Sequence, residues 1–399
     1  SEQIEFMHSG LAPEIPEGLY RKVSNFNRSL LTAMDFSAPG RQGKGLITHK
    51  GYWTSFDDMF KAWGSKQGFD NVQQSILTDP TGYFAPKPSL AGKTAKSFAE
   101  EAGLDLTDVV RNREEIFRSK LAEKIPGVER SQRAYVAFLN KARADVFKEL
   151  VDSAKKAGRD PEKDLVLAKQ LANSINVSTG RGSFGKLEQS ATAMKVLNEV
   201  FFAPKLMASR VQMYSRVLNP KTYTELDPIV RKEAIRSLLG IVGTAGVVGE
   251  LARLGGAKVS NDPTNSDFRK IKIGNTRIDN LAGLQQYGVA TARLLSGQST
   301  SSTSGRTSDL TRPKFGGQNR ADVATNFFTN KLAPIPSFIW AWMNTREFDG
   351  EPFEVKKALL NRTIPIVMQD LTELYQEDPS LLPLGVLPVM GEGLQTYGR

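Results

Sequence analysis

SQRAYVAFLNKARADVFKELVDSAKKA, residues 131–157, spells one long amphipathic helix. Tyr135, Phe138, Leu139, Ala142, Val146 and Leu150 recur at three- and four-residue intervals, which lines them up as a single apolar stripe on a 3.6-residue period. Gly158 follows directly, where helices commonly end on a left-handed residue. A chain built around this segment is helical in class.

On its N-terminal side the first 52 residues look irregular, with prolines at Pro13, Pro16 and Pro39. One helix is expected there, over 18–36, from Leu19, Val23, Phe26, Leu30 and Leu31. Short helices are expected over 53–63 and 72–77, a proline-rich loop over 79–88, and a helix over 106–124 that Pro126-Gly127 stops. On the C-terminal side helices are expected over 164–175, over 187–218 with a kink or break at Pro204, and over 228–254. Residues 268–279 give the strongest strand signal: Ile271 and Ile273 alternate with polar residues, and Gly274-Asn275 supplies a two-residue turn. A helix over 281–295 precedes a Ser/Thr/Gly-rich stretch, 296–317, expected as a flexible loop or linker. The stretch 321–344 is apolar, aromatic and broken at Pro334 and Pro336; short helices follow over 353–363 and 367–377, and 381–397 is apolar and rich in Pro and Gly. The expected class is therefore mainly α, a multi-helix fold with Pro/Gly-interrupted helices and one small β-hairpin. Four regions are expected: an irregular and helical 1–128, a central helical 129–257, a hairpin, helix and loop at 258–318, and a helical, aromatic 319–399.

Composition removes several classes of chemistry. There is no cysteine, which excludes disulfides, thiolate zinc sites and thiol nucleophiles. The only histidines are His8 and His49, and no HExxH pattern exists. No catalytic residue, metal or cofactor is assigned, and the chain is not expected to be an enzyme. The first residues, SEQIEFMHSG, carry neither the basic nor the apolar region of a signal peptide. Of a net charge of +10, residues 181–330 carry about +10 and residues 331–399 about −3. A basic centre suits a polyanion such as nucleic acid, or an anionic lipid face.

Four motifs bear on function. GRGSFGK, residues 180–186, fits most of a P-loop, but Leu187 stands where the magnesium-binding Ser or Thr belongs. It fits a tight glycine turn better, with Arg181 and Lys186 left to hold a phosphate or carboxylate at a helix start. SLLGIVGTAGVVG, residues 237–249, has no charge and carries Gly240, Gly243, Gly246 and Gly249 at three-residue steps. Thirteen residues at about 1.5 Å each reach about 20 Å, short of a ~30 Å hydrocarbon core. This leaves two readings, a buried helix crossing close to another or membrane insertion in a second conformation. Phe327, Phe328, Phe338, Trp340 and Trp342 suggest a core or subunit interface. Lys205, Arg210, Arg216, Lys221, Arg231, Lys232 and Arg236 form either a solvated face or a sequence-independent track for a phosphate backbone.

Blocks spread along the chain add a resemblance. DFSAPGRQG (35–43), SQRAYVAFLNKARADVF (131–147), NSINVSTGRGSFGKLE (173–188), FFAPKLMASR (201–210), DPIVRKEAIRSL (227–238), SDFRKIKIGNTRIDN (266–280) and LLPLGVLPVMGEGLQTY (381–397) occur in this order. Together they resemble the C-terminal module of phage large polyvalent proteins, virion-internal proteins ejected with the DNA. The resemblance implies a structural or delivery role and supplies no catalytic residue. The expected protein sits in the virion interior and passes to the host envelope or cytoplasm. It forms a homo-oligomeric ring or tube with portal or other ejection proteins, tolerates double-stranded DNA and contacts host membrane. The rival expectation is a DNA-binding protein that protects the injected genome from host defence.

Overall fold

The computed structural model describes residues 36–87, 96–107, 127–313, 317–347, 352–362 and 364–397. The helices expected over 18–36 and 106–124 fall, but for their ends, outside these residues. The described chain is mainly α with small antiparallel sheets.

The long helix α4 (Val128–Lys156) is the axis of the core. It packs on α1 (Lys50–Gly64), α2 (Lys66–Leu77), the short α3 (Phe98–Glu101) and α5 (Leu165–Ser178). The breaks between these helices have local causes. Ser65 is extended, and its hydroxyl accepts Gly68 N at 2.9 Å, so α2 starts afresh there. Asp164 caps α5 through Leu167 N at 3.0 Å. Phe138, Leu139, Phe147, Met59 and Leu171 have no exposed surface. Burying each such side chain contributes about 1.5–3 kcal/mol. Tyr52 and Phe56 meet Phe138 edge-on at 5.4 and 5.2 Å between ring centres. Ala38 and Leu46 belong to the same core as Phe138 and Leu171, so the first two regions expected from the sequence share one interior. The segment around them, Ala38–Leu46, is not irregular: it is a π turn followed by a 3-10 turn, and it is buried.

The expected interruption at Pro204 is a full break. A 3-10 turn, Gly185–Gln189, leads to α6 (Ala191–Val200), and Pro204 opens α7 (Pro204–Leu218) at its first position, where a missing N–H does no harm. After α8 (Thr222–Glu225) comes α9 (Pro228–Leu254), then α10 (Leu284–Ser296), α11 (Arg320–Thr329), α12 (Pro334–Asn344), α13 (Val355–Asn361), α14 (Ile366–Glu377) and α15 (Val386–Val389). Val177, Met213, Ile241, Ala245, Leu281 and Leu284 form a second core, joining α5, α7, α9 and α10.

The expected hairpin is there, β2 (Ile271–Ile273) and β3 (Thr276–Asp279) with Gly274 at φ +56° in the turn. It is half of a larger antiparallel sheet. β1 (Lys258–Val259) lies on one side, and β6 (Gly393–Thr396), from the Pro/Gly-rich end, pairs with β3 on the other. Thr276 and Thr396 hydroxyls meet at 3.1 Å across that pair. The Ser/Thr/Gly stretch is a second correction: it holds an antiparallel ribbon, β4 (Gln298–Thr300) and β5 (Thr307–Asp309), not a featureless linker. Thr300 binds the Thr264 hydroxyl at 2.8 Å, and Leu310 is buried just beyond β5.

The C-terminal end also closes on the start of the described chain. Phe36 N donates to Val389 O and Gly40 N to Met390 O, both at 3.0 Å. The buried Lys44 ammonium donates to Glu392 Oε1 at 2.5 Å and to Asn280 O at 2.6 Å.

Candidate functional site

Helix α9 carries the uncharged glycine segment. Asp227 caps it through Ile229 N at 3.0 Å, and Pro228 takes its first position. Twenty-seven residues at about 1.5 Å each give about 40 Å, more than a ~30 Å hydrocarbon core. By length and composition it is the one helix among the described residues that meets the requirement for crossing a membrane. Its inner face holds Val230, Ala234, Ile241 and Ala245 against the cores. Its outer face is open and largely apolar: Leu239, Val247, Leu251 and Leu254 are 61, 61, 62 and 86% exposed, with the Glu250–Arg253 pair toward the C-terminal end. These positions lie within one half of the helix circumference.

The four glycines divide between these faces. A Cβ on Gly240 would sit 2.9 Å from Thr48 Cγ2 and 3.2 Å from Ile47 Cγ2, so Gly240 admits the segment ahead of α1. Gly249 is in ordinary contact distance of Val259, on β1. Gly246 faces the end of the Arg269 side chain at 3.4 Å, and Gly243 faces open space. The close approach is to a turn and a strand rather than to a second helix.

A buried polar cluster fixes the inner face of α9 to the core. His49 lies between two carboxylates, with Nδ1 3.1 Å from Glu149 Oε1 and Nε2 2.8 Å from Glu233 Oε1. Each ring nitrogen faces one carboxylate, and the tautomer sets which of the two contacts the ring donates. Arg236 adds a positive charge. It donates to Thr48 O at 2.6 Å and Thr48 Oγ1 at 2.9 Å, and lies 3.6 Å from Glu149 and 3.9 Å from Glu233. Ser237 donates to Glu233 at 3.2 Å and receives Ser178 Oγ at 2.9 Å. An imidazole, a guanidinium, two carboxylates and two hydroxyls thus join the start of α1, α4, α5 and α9.

Most of the basic residues expected on a polyanion face the protein itself. Arg181 is buried, 3.5 Å from Asp105 and hydrogen-bonded to Thr107 Oγ1 at 3.2 Å. Arg210 is buried and donates to Arg41 O. Arg216 donates to Asn173 O at 3.3 Å, and burial pushes its guanidinium down to about 10. Arg231 donates to Tyr223 O at 2.7 Å. Lys205 is half-buried, while Lys186, Lys221 and Lys232 are exposed. Arg181 and Lys186 do not converge, since one points into the core and the other into solvent. The GRGSFGK turn has its own structural logic. Gly180 and Gly185 take φ of +82° and +60°, and a Cβ on Gly182 would come 2.1 Å from Ser209 N in α7. No helix starts at Leu187 to receive an anion; the α-helix begins at Ala191 under a Ser190 cap.

Sequence reasoning missed His49 and Glu233 as a pair because 184 residues separate them. The sole sequence signal was a glutamate, Glu233, one turn before the uncharged stretch of the helix. The aromatic group is partly open, with Phe328 and Trp342 exposed, while Phe327 meets Tyr287 edge-on at 5.1 Å. Set against family models, curated proteins and solved structures, the chain has no match.

Proposed function

We propose that this chain is a virion-internal phage protein delivered with the genome, and that α9 is the part of it that meets the host membrane. The observation that carries the reading is the α9 outer face. It is a long helix, open and largely apolar on one side, and held on the other by a polar cluster beside the apolar contacts of Val230, Ile241 and Ala245. Such a helix has an alternative apolar solvent to go to once the cluster loosens. Arg236 and Glu250 bound the uncharged stretch, and Arg253 lies one turn further on, paired to Glu250 at 2.6 Å; long charged side chains at such ends reach back to the headgroups. Assembly into a ring or tube beside the portal accords with several copies supplying such helices together.

The rival reading, a sequence-independent DNA protector, has less support. Arg181, Arg210, Arg216, Arg231 and Arg236 are engaged within the fold, which leaves few free cations along the expected track.

The decisive experiment is liposome leakage with Gly243→Arg. The site is open, and Arg is a better helix former than Gly by about 1 kcal/mol, so the soluble fold is retained. An arginine near the bilayer centre costs about 2.5–3.5 kcal/mol or more. The variant is expected to fold and to lose leakage. Undiminished leakage refutes the α9 assignment. A mass-spectrometric census of particles before and after triggered DNA release tests the delivery role: loss on release supports it, and retention in emptied particles overturns it.

A further inference from the structure

We propose that the cavity where α7, α10, α12 and α14 begin is a binding site for a small organic anion, a carboxylate or phosphate head on a short apolar body, with Arg210 and Lys331 as its counter-charges. This inference is independent of the phage reading.

The cavity measures about 360 Å³, within the range of small-molecule sites. Its wall is largely apolar, with Phe202, Leu206, Met207, Leu332, Pro334 and Ile366 contributing. Into this wall the fold places two cations that no carboxylate among the described residues pairs with. Arg210 is 2% exposed; it contacts Arg41 O and Met213 Sδ, and no carboxylate pairs with it among the described residues. Lys331 donates to Gln286 Oε1 and lies 4.9 and 5.7 Å from the ring centres of Phe327 and Tyr287, again with no carboxylate partner among the described residues. Arg362 shows the contrast. It lines the same cavity, yet Glu347 holds it from both oxygens at 2.9 and 3.0 Å. Where this fold wants a neutral pair, it supplies one.

The backbone adds to the positive field. Leu206, Gln286, Pro334 and Ile366 lie in the first turns of α7, α10, α12 and α14, and all four line the cavity. None of these four helix starts has a side-chain cap. Each helix start carries a partial positive charge of roughly half a unit. Burial pushes the Lys331 ammonium down to about 8 and, against the weaker pull of Tyr287, Tyr135 and Tyr214, the Arg210 guanidinium to about 10. A buried charge without a partner is costly, and a bound anion removes that cost. The cavity shares Lys331 and Gln286 with a wider cleft of about 700 Å³, where Arg41, Lys270, Arg277 and Arg293 outnumber Asp279 and Asp370. That cleft gives an anion a favourable approach.

The test is calorimetric titration of the full chain with octanoate, with 1-octanol as the uncharged counterpart and inorganic phosphate as the headgroup alone. Octanoate is expected to bind at least tenfold more tightly than either. Lys331→Met is expected to weaken octanoate at least tenfold while leaving octanol unchanged, and Arg210→Met to do the same. Should Arg210→Met fail to fold, the half-buried Lys331 carries the test alone. At pH 8.5 octanoate binding is expected to take up protons, read from buffers of different ionisation enthalpy, and Lys331→Met is expected to abolish the uptake. Equal binding of octanol, phosphate binding as tight as octanoate, or unchanged octanoate affinity in Lys331→Met each overturns the proposal. Displacement of octanoate by phosphatidylglycerol vesicles supports the site with a lipid as the source of the head; its absence supports the site with a free acid.

Discussion

Nε2 of His49 lies 2.8 Å from Oε1 of Glu233, and this contact ties the residue ahead of α1 to the inner face of the one membrane-length helix among the described residues. Both side chains are buried, so the contact is shielded from solvent and only weakly screened by salt.

Glu233→Gln keeps the shape of this contact and removes its charge. His49 and Arg236 then face Glu149 alone. Unfolding in urea is expected to show a loss of about 2–4 kcal/mol, since one member of a buried charged group has been neutralised. If the cluster restrains α9, liposome binding is expected to rise severalfold in the same variant. Lower stability with unchanged liposome binding separates a structural role from a restraining one.

Gly240 and Gly243 are expected to respond to alanine with opposite signs. At Gly240 the new methyl meets Thr48 and Ile47 at 2.9 and 3.2 Å, and overpacking of this kind costs about 1–3 kcal/mol. At Gly243 it meets nothing within 4 Å, so only the helix-propensity gain of about 0.5–1 kcal/mol remains. Thermal midpoints of the two variants, measured side by side, check this.

Gly182→Ala is expected to be severe. The clash is with the backbone nitrogen of Ser209 at 2.1 Å, which no side-chain rotation relieves. A loss of about 3 kcal/mol or more is expected, against less than about 0.5 kcal/mol for Lys186→Ala on the exposed side of the same turn. A nucleotide-cradling loop predicts the reverse ranking in a nucleotide-binding assay.

Lys331 gives the fold a pH dependence in its unliganded state. Desolvation lowers its folded-state value from the usual 10.5 to about 8. Between these values the unfolded chain holds the proton and the folded chain does not, so stability rises with pH across that window. Below about 8 both states are protonated and the full penalty persists. Lys331→Met is expected to raise stability at pH 7 by on the order of 1 kcal/mol and to flatten the rise between pH 8 and 10.5. Urea midpoints across that range decide it.

The legible parts of this fold were those whose signal is local. Pro228–Leu254 matches its sequence expectation from end to end, because a cap, a proline and an apolar period all lie within the segment. The Gly274-Asn275 turn and the break before Pro204 are equally local. β6 was hidden because its partner β3 lies more than a hundred residues away and nothing in GLQT alternates strongly. The β4–β5 ribbon was hidden because hydroxyl pairs such as Thr264–Thr300, not apolar alternation, help hold it. Arg181 and Arg210 looked like surface charges for a related reason. Charge in a sequence suggests solvent, and only the fold reveals that Asp105 and the Arg41 carbonyl stand opposite them.

The bond from Lys44 to Glu392 spans 348 residues of chain. At roughly 5–20 residues added per second, synthesis of the second partner follows the first by roughly 17–70 s. The residues that make the α1–α4 contacts are all synthesised before that interval ends. β6 and Glu392 arrive after the helices, and with them the outer partner of β3, the anchors of Phe36 and Gly40, and the counter-charge of Lys44. Until they do, the helical body is only half laced, and the stitch that ties these distant segments is a four-residue strand with the turn before it.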